Sequence, residues 1–313
     1  MKLILSLITS ALLCLPLLGQ TPSKPVQGSI SISGAWALYP MVLKWAEEFK
    51  KINPRVKIDV QAGGAGKGMS DVLAGMAVLG MVSREVNPEE VKKGAYPFAV
   101  TKDGVVATAS ARNPFLPEIR KKGLSKLCLV DVWLSDRDLT WGQILGTSEK
   151  SAVHVYTRSD ACGAAETWAA YLGKRQEDLG GVGVYGDPGL ADAVRRDPLG
   201  IGFNNINFAY DAKTLKPIEG LAILPIDLDG SGGIEAAENV YATRDDITAA
   251  IANGLYPSPP ARDLYLVAKG KPANAAAAAF LRWILADGQR FVPETGYIRL
   301  GADKLKEGLD RLK

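Results

Sequence analysis

Residues 153–172 set a cation beside a glycine turn, a pairing suited to holding an anion. Val153, Val155 and Tyr156 alternate as a strand does, and the strand ends at Arg158. Ser159-Asp160-Ala161-Cys162-Gly163 breaks the pattern, and an Ala-rich helical run restarts over Ala164–Leu172. A helix start leaves backbone N–H groups without intrahelical acceptors, all aimed at one point. A guanidinium at that point is repelled by the helix dipole unless a negative group lies between them. The combination predicts a bound anion with Arg158 as its charged clamp.

The same strand, glycine turn and helix order occurs twice earlier. Ser29–Ser33 alternates as a strand, Gly34-Ala35-Trp36-Ala37 follows, and Tyr39–Lys50 has helical spacing with Pro40 in its first turn. Lys57–Val60 reads as a second strand, followed by Gly63-Gly64-Ala65-Gly66-Lys67-Gly68 and a helix over Met69–Met76. One such turn is explained by the need for a tight βα connection. Three of them, with Arg158, point to a shared site. Trp36 either walls that site or belongs to the core.

The rest of the chain keeps the α/β alternation. Strand patterns appear at Val78–Val82 (ending in Ser83-Arg84), Phe98–Ser110, Gly200–Asn204, Leu221–Ile226 and Leu264–Val267. Helical patterns start near Asn87 and cover Ile119–Lys126, Thr140–Leu145, Gly189–Arg196 and Ala273–Leu285, the last capped by Asn274.

Composition narrows the function classes. A length of 313 residues suits one large or two ordinary domains. The formal net charge of +3 is too balanced for a nucleic-acid or anionic-membrane binder, and a single histidine, His154, excludes a His-rich metal centre. Met1–Gln20 carries one lysine and a long apolar run, the pattern of a secretory signal peptide cut near Gly19–Thr21; a retained anchor is the alternative. Leu13 precedes Cys14 where a lipoprotein site needs a small residue. The expected product is exported and soluble and keeps Cys128 and Cys162, whose spacing does not settle whether they pair. His154 and Cys162 form a nominal nucleophile pair, with Arg158 near enough to lower the thiol pKa, but no third residue orients them.

A second constellation offers oxygen ligands. Residues 227–238, DLDGSGGIEAAE, match the 12-residue calcium loop. Asp227, Asp229 and Ser231 fall at positions 1, 3 and 5, and Gly232 makes the sharp turn at 6. Gly233 offers its carbonyl at 7, Glu235 acts at 9 through water, and Glu238 binds with both oxygens at 12. An exiting helix is expected over Ala236–Ile251. Such a cage favours structural calcium over zinc or copper.

Segments along the whole chain carry a family resemblance: GAWALYPMVLKWAEEF, GGAGKGMSDVLAG, LGMVSREV, LTWGQILG, YTRSDACGAAETW, GIGFNNINFAY, YPSPPARDLYLVAKGKP and FLRWILADGQRFVPETGYIRL. In this order the chain resembles the substrate-binding proteins of phosphate ABC transporters. The resemblance implies a two-lobed α/β periplasmic-binding-protein fold of type II with the ligand between the lobes. Lobe 1 would hold residues 28–110 and 257–313 and lobe 2 residues 111–256, with hinges near Ser110–Asn113 and Tyr256–Pro260. It also implies ligand positions at Trp36, Ala37 and Leu38, at Ala65, Gly66 and Lys67, at Ser83 and Arg84, and at Arg158 with Asp160 as its partner. Cys162, Gly163 and Ala164 complete the set.

This chain departs from that pattern where the family usually supplies hydroxyls: Ala37, Ala65, Cys162 and Ala164 stand there. Alanine donates no side-chain hydrogen bond and a thiol donates weakly. Either backbone groups, Ser83, Lys67, Arg84 and Arg158 suffice for phosphate, or the guest is another oxyanion, such as a molybdate-, sulfate- or phosphonate-like one. The resulting expectation is a monomeric, non-enzymatic binding protein delivering an oxyanion to ABC permease subunits. A phosphoester hydrolase on the same cleft, and a sensor or adhesion subunit, are the alternatives.

Overall fold

The computed structural model describes residues 26–313. The signal-peptide reading of Met1–Gln20 and the question of Cys14 lie outside the described residues. Among the described residues, no helix is long and apolar enough to cross a membrane.

Eleven strands are described: β1 (Gly28–Gly34), β2 (Val56–Ala62), β3 (Leu79–Val82), β4 (Ala95–Ser110), β5 (Leu124–Ser125), β6 (His154–Arg158), β7 (Val182–Val184), β8 (Gly200–Asn205), β9 (Leu221–Ile223), β10 (Ile226–Asp227) and β11 (Ala261–Lys269). Nine join in one sheet, eight of them in the order β2-β1-β3-β11-β4-β8-β6-β7 and β9 beside β4; β5 and β10 form a separate parallel pair. The βα units of the first half set β1 parallel to both β2 and β3, and β11 then runs antiparallel between β3 and β4.

Strand β4 is shared by two half-sheets. Its first part, Ala95–Gly104, pairs with β11, and its second, Val105–Ser110, pairs with β8 and β9. At about 3.3 Å per residue a strand of this length spans about 50 Å, enough to serve two lobes. The apolar cores divide at the same place. One core gathers Trp45, Phe49, Phe280 and Trp283. The other gathers Trp133, Trp168 and Phe203, with Trp168 stacked on Phe203 at 5.7 Å.

The first crossing between lobes therefore lies at Gly104–Val105, inside β4, and not at Ser110–Asn113. The composition change near residue 111 marks only the end of the strand. Gly104 suits the crossing because a Cβ there would lie 2.7 Å from Ile251 Cδ1. The second crossing follows Tyr256–Pro260, where β11 begins, and Tyr256 ties the two crossings by donating from its hydroxyl to the Val105 carbonyl at 2.6 Å.

Helix ends follow their caps. Asn274 Oδ1 accepts from the Ala277 N–H at 3.0 Å and starts the helix Ala275–Ile284. Thr243 caps Arg244–Ala252 through the Asp246 N–H. That cap overturns the expected helix over Ala236–Ile251. Residues 236–243 are instead occupied in closing the acidic loop, where Glu238 accepts from the Leu228 N–H, and in seating Tyr241.

At the crossing, Asp103 is fully buried opposite Arg262, with Asp187 and Tyr297 also near. Loss of water pushes the Asp103 carboxyl up to about 7, against the opposing pulls of Arg262 and the Gly104 N–H. Its folded pKa exceeds the ordinary 3.8, so between these values the folded chain holds a proton that the unfolded chain has released. Stability from this group is complete below about pH 4 and is lost as pH rises through about 7. Asp103→Asn is expected to flatten that slope. Urea unfolding midpoints of both proteins across this range check it, and parallel profiles would refute it.

Candidate functional site

The three glycine turns meet. The third belongs to lobe 2, where β6 delivers Arg158 and the helix Gly163–Tyr171 begins. The second opens the helix Ala65–Ala74, and the Gly66 N–H donates to the Ala161 carbonyl across the lobes at 3.1 Å. A Cβ on Gly64 would lie 2.9 Å from that carbonyl and 3.0 Å from Asp160 Oδ2, so glycine permits the approach. The first turn is the short 3-10 segment Trp36–Leu38. Its Trp36 ring meets lobe 2 at Gly186, Tyr185 and Phe208. Trp36 thus walls the interlobe space, and its indole Nε1 is buried without a partner among the described residues. Ser83, at the end of β3, is buried directly against Gly163, where any Cβ would overlap the serine carbonyl and hydroxyl. The lobes are closed on one another.

Arg158 is the centre of this contact. Its side chain is inaccessible and is gripped by two carboxylates. Nε and Nη2 donate to Asp160 at 2.8 and 2.6 Å, and Nη1 donates to Asp187 at 2.6 Å. Burial alone would weaken the cation, but Asp187, Cys162 and Asp160 more than offset it, and the pKa stands above the ordinary arginine value. A guanidinium has five N–H donors. Three are spent on the carboxylates, which leaves one on each Nη as donors for an acceptor such as an oxyanion. Asp160 also accepts from the Gly186 N–H at 3.1 Å, joining the turn to the next helix, Gly186–Arg196.

The turns contribute main-chain donors. The N–H groups of Trp36, Ala37, Ala65, Lys67, Gly163 and Ala164 make no hydrogen bond among the described residues. The methyl groups of Ala37, Ala65 and Ala164 add none. Leu38 is different: its N–H is taken by the Ala35 carbonyl, so its contribution is packing.

Several side chains do not join the cluster in the expected way. Lys67 is ion-paired with Asp71, which also accepts from Ser33 Oγ at 2.5 Å. Arg84 forks onto Glu90 at 2.7 and 2.9 Å and lines a separate interlobe cavity of about 410 Å³ beside Glu166. Cys162 acts as the cap of its helix: Sγ accepts from the Ala165 N–H at 3.4 Å, and its own N–H donates to Gln176 Oε1. Burial pushes the thiol up to about 12 against the pull of Arg158, so the neighbouring cation does not activate it. His154 is half exposed and sits 2.7 Å from Asp197. Cys128 and Cys162 are both unpaired thiols.

Asp187, Asn204, Asn205 and Arg262 are buried at the site without having been singled out in the sequence. Gly186-Asp187-Pro188 reads as a loop before a helix, and only the sharing of Arg158 reveals its role. An acidic residue in a helix's first turn beside a proline was the available signal.

The acidic loop gathers one carboxylate oxygen from each of Asp227, Asp229 and Glu238 within 4.8 Å of one another. Calcium ligands at 2.3–2.6 Å from a common centre are separated by at most about 5 Å, so these three fit. Ser231 Oγ donates to the Gly233 carbonyl at 3.1 Å, bringing positions 5 and 7 together. Glu235 lies outside the carboxylate group.

A PBP superfamily domain profile matches residues 19–288. The chain belongs to that superfamily. The phosphate-binding protein PstS of Bacillus subtilis is 30% identical over 199 residues, covering 62% of this chain and 63% of the relative. PstS of Staphylococcus epidermidis strain ATCC 12228 is 23% identical over 303 residues, covering 94% of this chain and 86% of the relative. A phosphate ABC transporter substrate-binding protein of Clostridium perfringens, solved with bound phosphate, superposes with a TM-score of 0.70 at 22% identity, over 88% of this chain and 100% of that one. An ABC-type phosphate transport receptor from Vibrio cholerae gives 0.63 at 19%, over 87% and 100%. These likenesses establish the two-lobed α/β fold of the superfamily.

Gly163→Ala is expected to wedge the lobes apart at Ser83. Overpacking of about 1–3 kcal/mol should weaken oxyanion binding about tenfold or more and enlarge the radius of gyration in scattering with oxyanion present. Unchanged affinity and radius would remove this contact from lobe closure.

Proposed function

We propose that the chain is a non-enzymatic extracytoplasmic binding protein that captures phosphate, or a related tetrahedral oxyanion, for an ABC importer. The observation that carries the reading is that three turns from two lobes meet, with unpaired N–H groups in each and two Nη hydrogens of Arg158 left over by its carboxylates. Trp36, Ala37, Ala65, Lys67, Gly163 and Ala164 would donate through their backbones, and Ser83 through its hydroxyl. Leu38 and Gly66 shape the turns, and Cys162 holds the helix end. Such donors replace a hydration shell without side-chain reorganisation. The names of the relatives support phosphate as the guest.

A hydrolase finds little support here. The thiol of Cys162 is neutral at physiological pH and acts as a cap, and His154 is engaged with Asp197. Turnover of a phosphoester by the purified protein would overturn the reading.

Titration calorimetry with phosphate, sulfate, molybdate and a phosphonate ranks the guests. Phosphate is expected first, and no heat from any of them would refute the proposal. Arg158→Ala is expected to cost about 2–5 kcal/mol of affinity, since it removes a hydrogen-bonded charge from a buried cluster. Unchanged affinity would place the guest elsewhere.

We further propose that residues 227–238 hold structural calcium in lobe 2 through Asp227, Asp229, Ser231, Gly233 and Glu238, with Glu235 reached through water. A chelator should then lower the melting temperature of the wild type and leave Glu238→Gln unmoved. A chelator-insensitive wild type would show that the loop needs no metal.

A further inference from the structure

Behind Arg158 runs a buried relay that begins outside the ligand-facing turns. Arg262 lies on β11, in register with Asp103 on the crossing strand, and is 6% exposed. Its Nη2 donates to Asn205 Oδ1, its one side-chain hydrogen bond among the described residues; Nε and Nη1 have no partner. Asp103 Oδ2 stands 3.8 Å from Nη2, beyond hydrogen-bond reach. Asn205, at the end of β8 that pairs with Val105 beside the crossing, donates from Nδ2 to Asp187 Oδ1 at 2.7 Å. The other oxygen of Asp187 takes Nη1 of Arg158.

The order of donors fixes the orientation of every group. Arginine only donates, so Asn205 must show it Oδ1 and must turn Nδ2 to Asp187. The amide assignment follows from this polarity. With Arg262 removed, nothing described holds Oδ1 in place. A reversed Asn205 would set its oxygen against Asp187 Oδ1, leaving that oxygen only the long bond from the Asn205 backbone N–H at 3.3 Å, and the carboxylate would turn from its position. Arg158 would then be held by Asp160 alone, and its outer N–H pair would lose its aim.

We propose that Arg262 is a positioning residue for anion capture: through Asn205 it fixes Asp187, and through Asp187 it sets the guanidinium of Arg158. The inference rests on the oxyanion-binding function proposed above. It places one determinant of the lobe 2 clamp on the strand that crosses from lobe 1.

Phosphate titrations of Arg262→Met, Arg262→Lys, Asn205→Leu and the double variant Arg262→Met/Asn205→Leu test it. Arg262→Met and Asn205→Leu should each raise Kd by about tenfold or more, and the double variant should bind no worse than the poorer single, as one relay requires. Arg262→Lys keeps a donor for Asn205 and should restore most of the affinity. A Kd unmoved in a folded Arg262→Met, or additive losses, would overturn the relay; if that variant does not fold, Asn205→Leu decides alone. A ligand-free readout separates this inference from the proposed function. Proton exchange at Arg158 Nη, followed by guanidinium NMR, should accelerate in Arg262→Met, or in Asn205→Leu in its place, and recover in Arg262→Lys. Unchanged exchange overturns the relay, whereas a wild type that binds no oxyanion overturns the function.

Discussion

The structure depends on a buried guanidinium whose hydrogen-bond donors are only partly taken by its carboxylate partners. Arg158 enters an inaccessible position only because Asp160 and Asp187 replace its water. The two carboxylates outnumber the single guanidinium charge, so attraction for an anion falls to hydrogen-bond donors and not to net charge. Three of the five guanidinium N–H groups go to the carboxylates, and one on each Nη is left over. The remaining attraction comes from peptide N–H groups at two helix starts and a 3-10 turn, which carry no counter-charge of their own.

This arrangement accounts for a site poor in hydroxyls. Alanine at positions 37, 65 and 164 leaves the peptide donors in place. Cys162 spends its sulfur on its own helix, as a serine cap would spend its oxygen. For the proposed guest, recognition rests on main-chain geometry set by the strand ends beneath the turns. Close backbone approach is part of it: Gly66 and Gly64 to Ala161, and Gly163 to Ser83.

Much of this was legible in the sequence because it is local. A strand ending at Arg158, a break at Cys162-Gly163 and a helical restart are adjacent residues whose chemistry points one way. The pairing of Arg158 with Asp160, two positions on, was legible for the same reason. Asp187, Asn205 and Arg262 come from three separate elements and meet only through the sheet order β11-β4-β8-β6, which no local pattern encodes. The partners of Lys67 and Arg84, Asp71 and Glu90, were not read from the sequence, although both lie within six positions. The lobe boundary was misplaced because one strand, β4, runs through both sheets and changes partners without any change in its own alternation.

The position of β11 bears on how the chain acquires its shape. The strands it separates, β3 and β4, are made early, while β11 arrives only after all of lobe 2 has been synthesised. Lobe 2 is nearly continuous in sequence and can collapse on local contacts, whereas lobe 1 must wait for a central strand brought back by a long loop closure. Until then the facing edges of β3 and β4 are unpaired and open to wrong partners. A chain so wired delays its final topology until β11 is present.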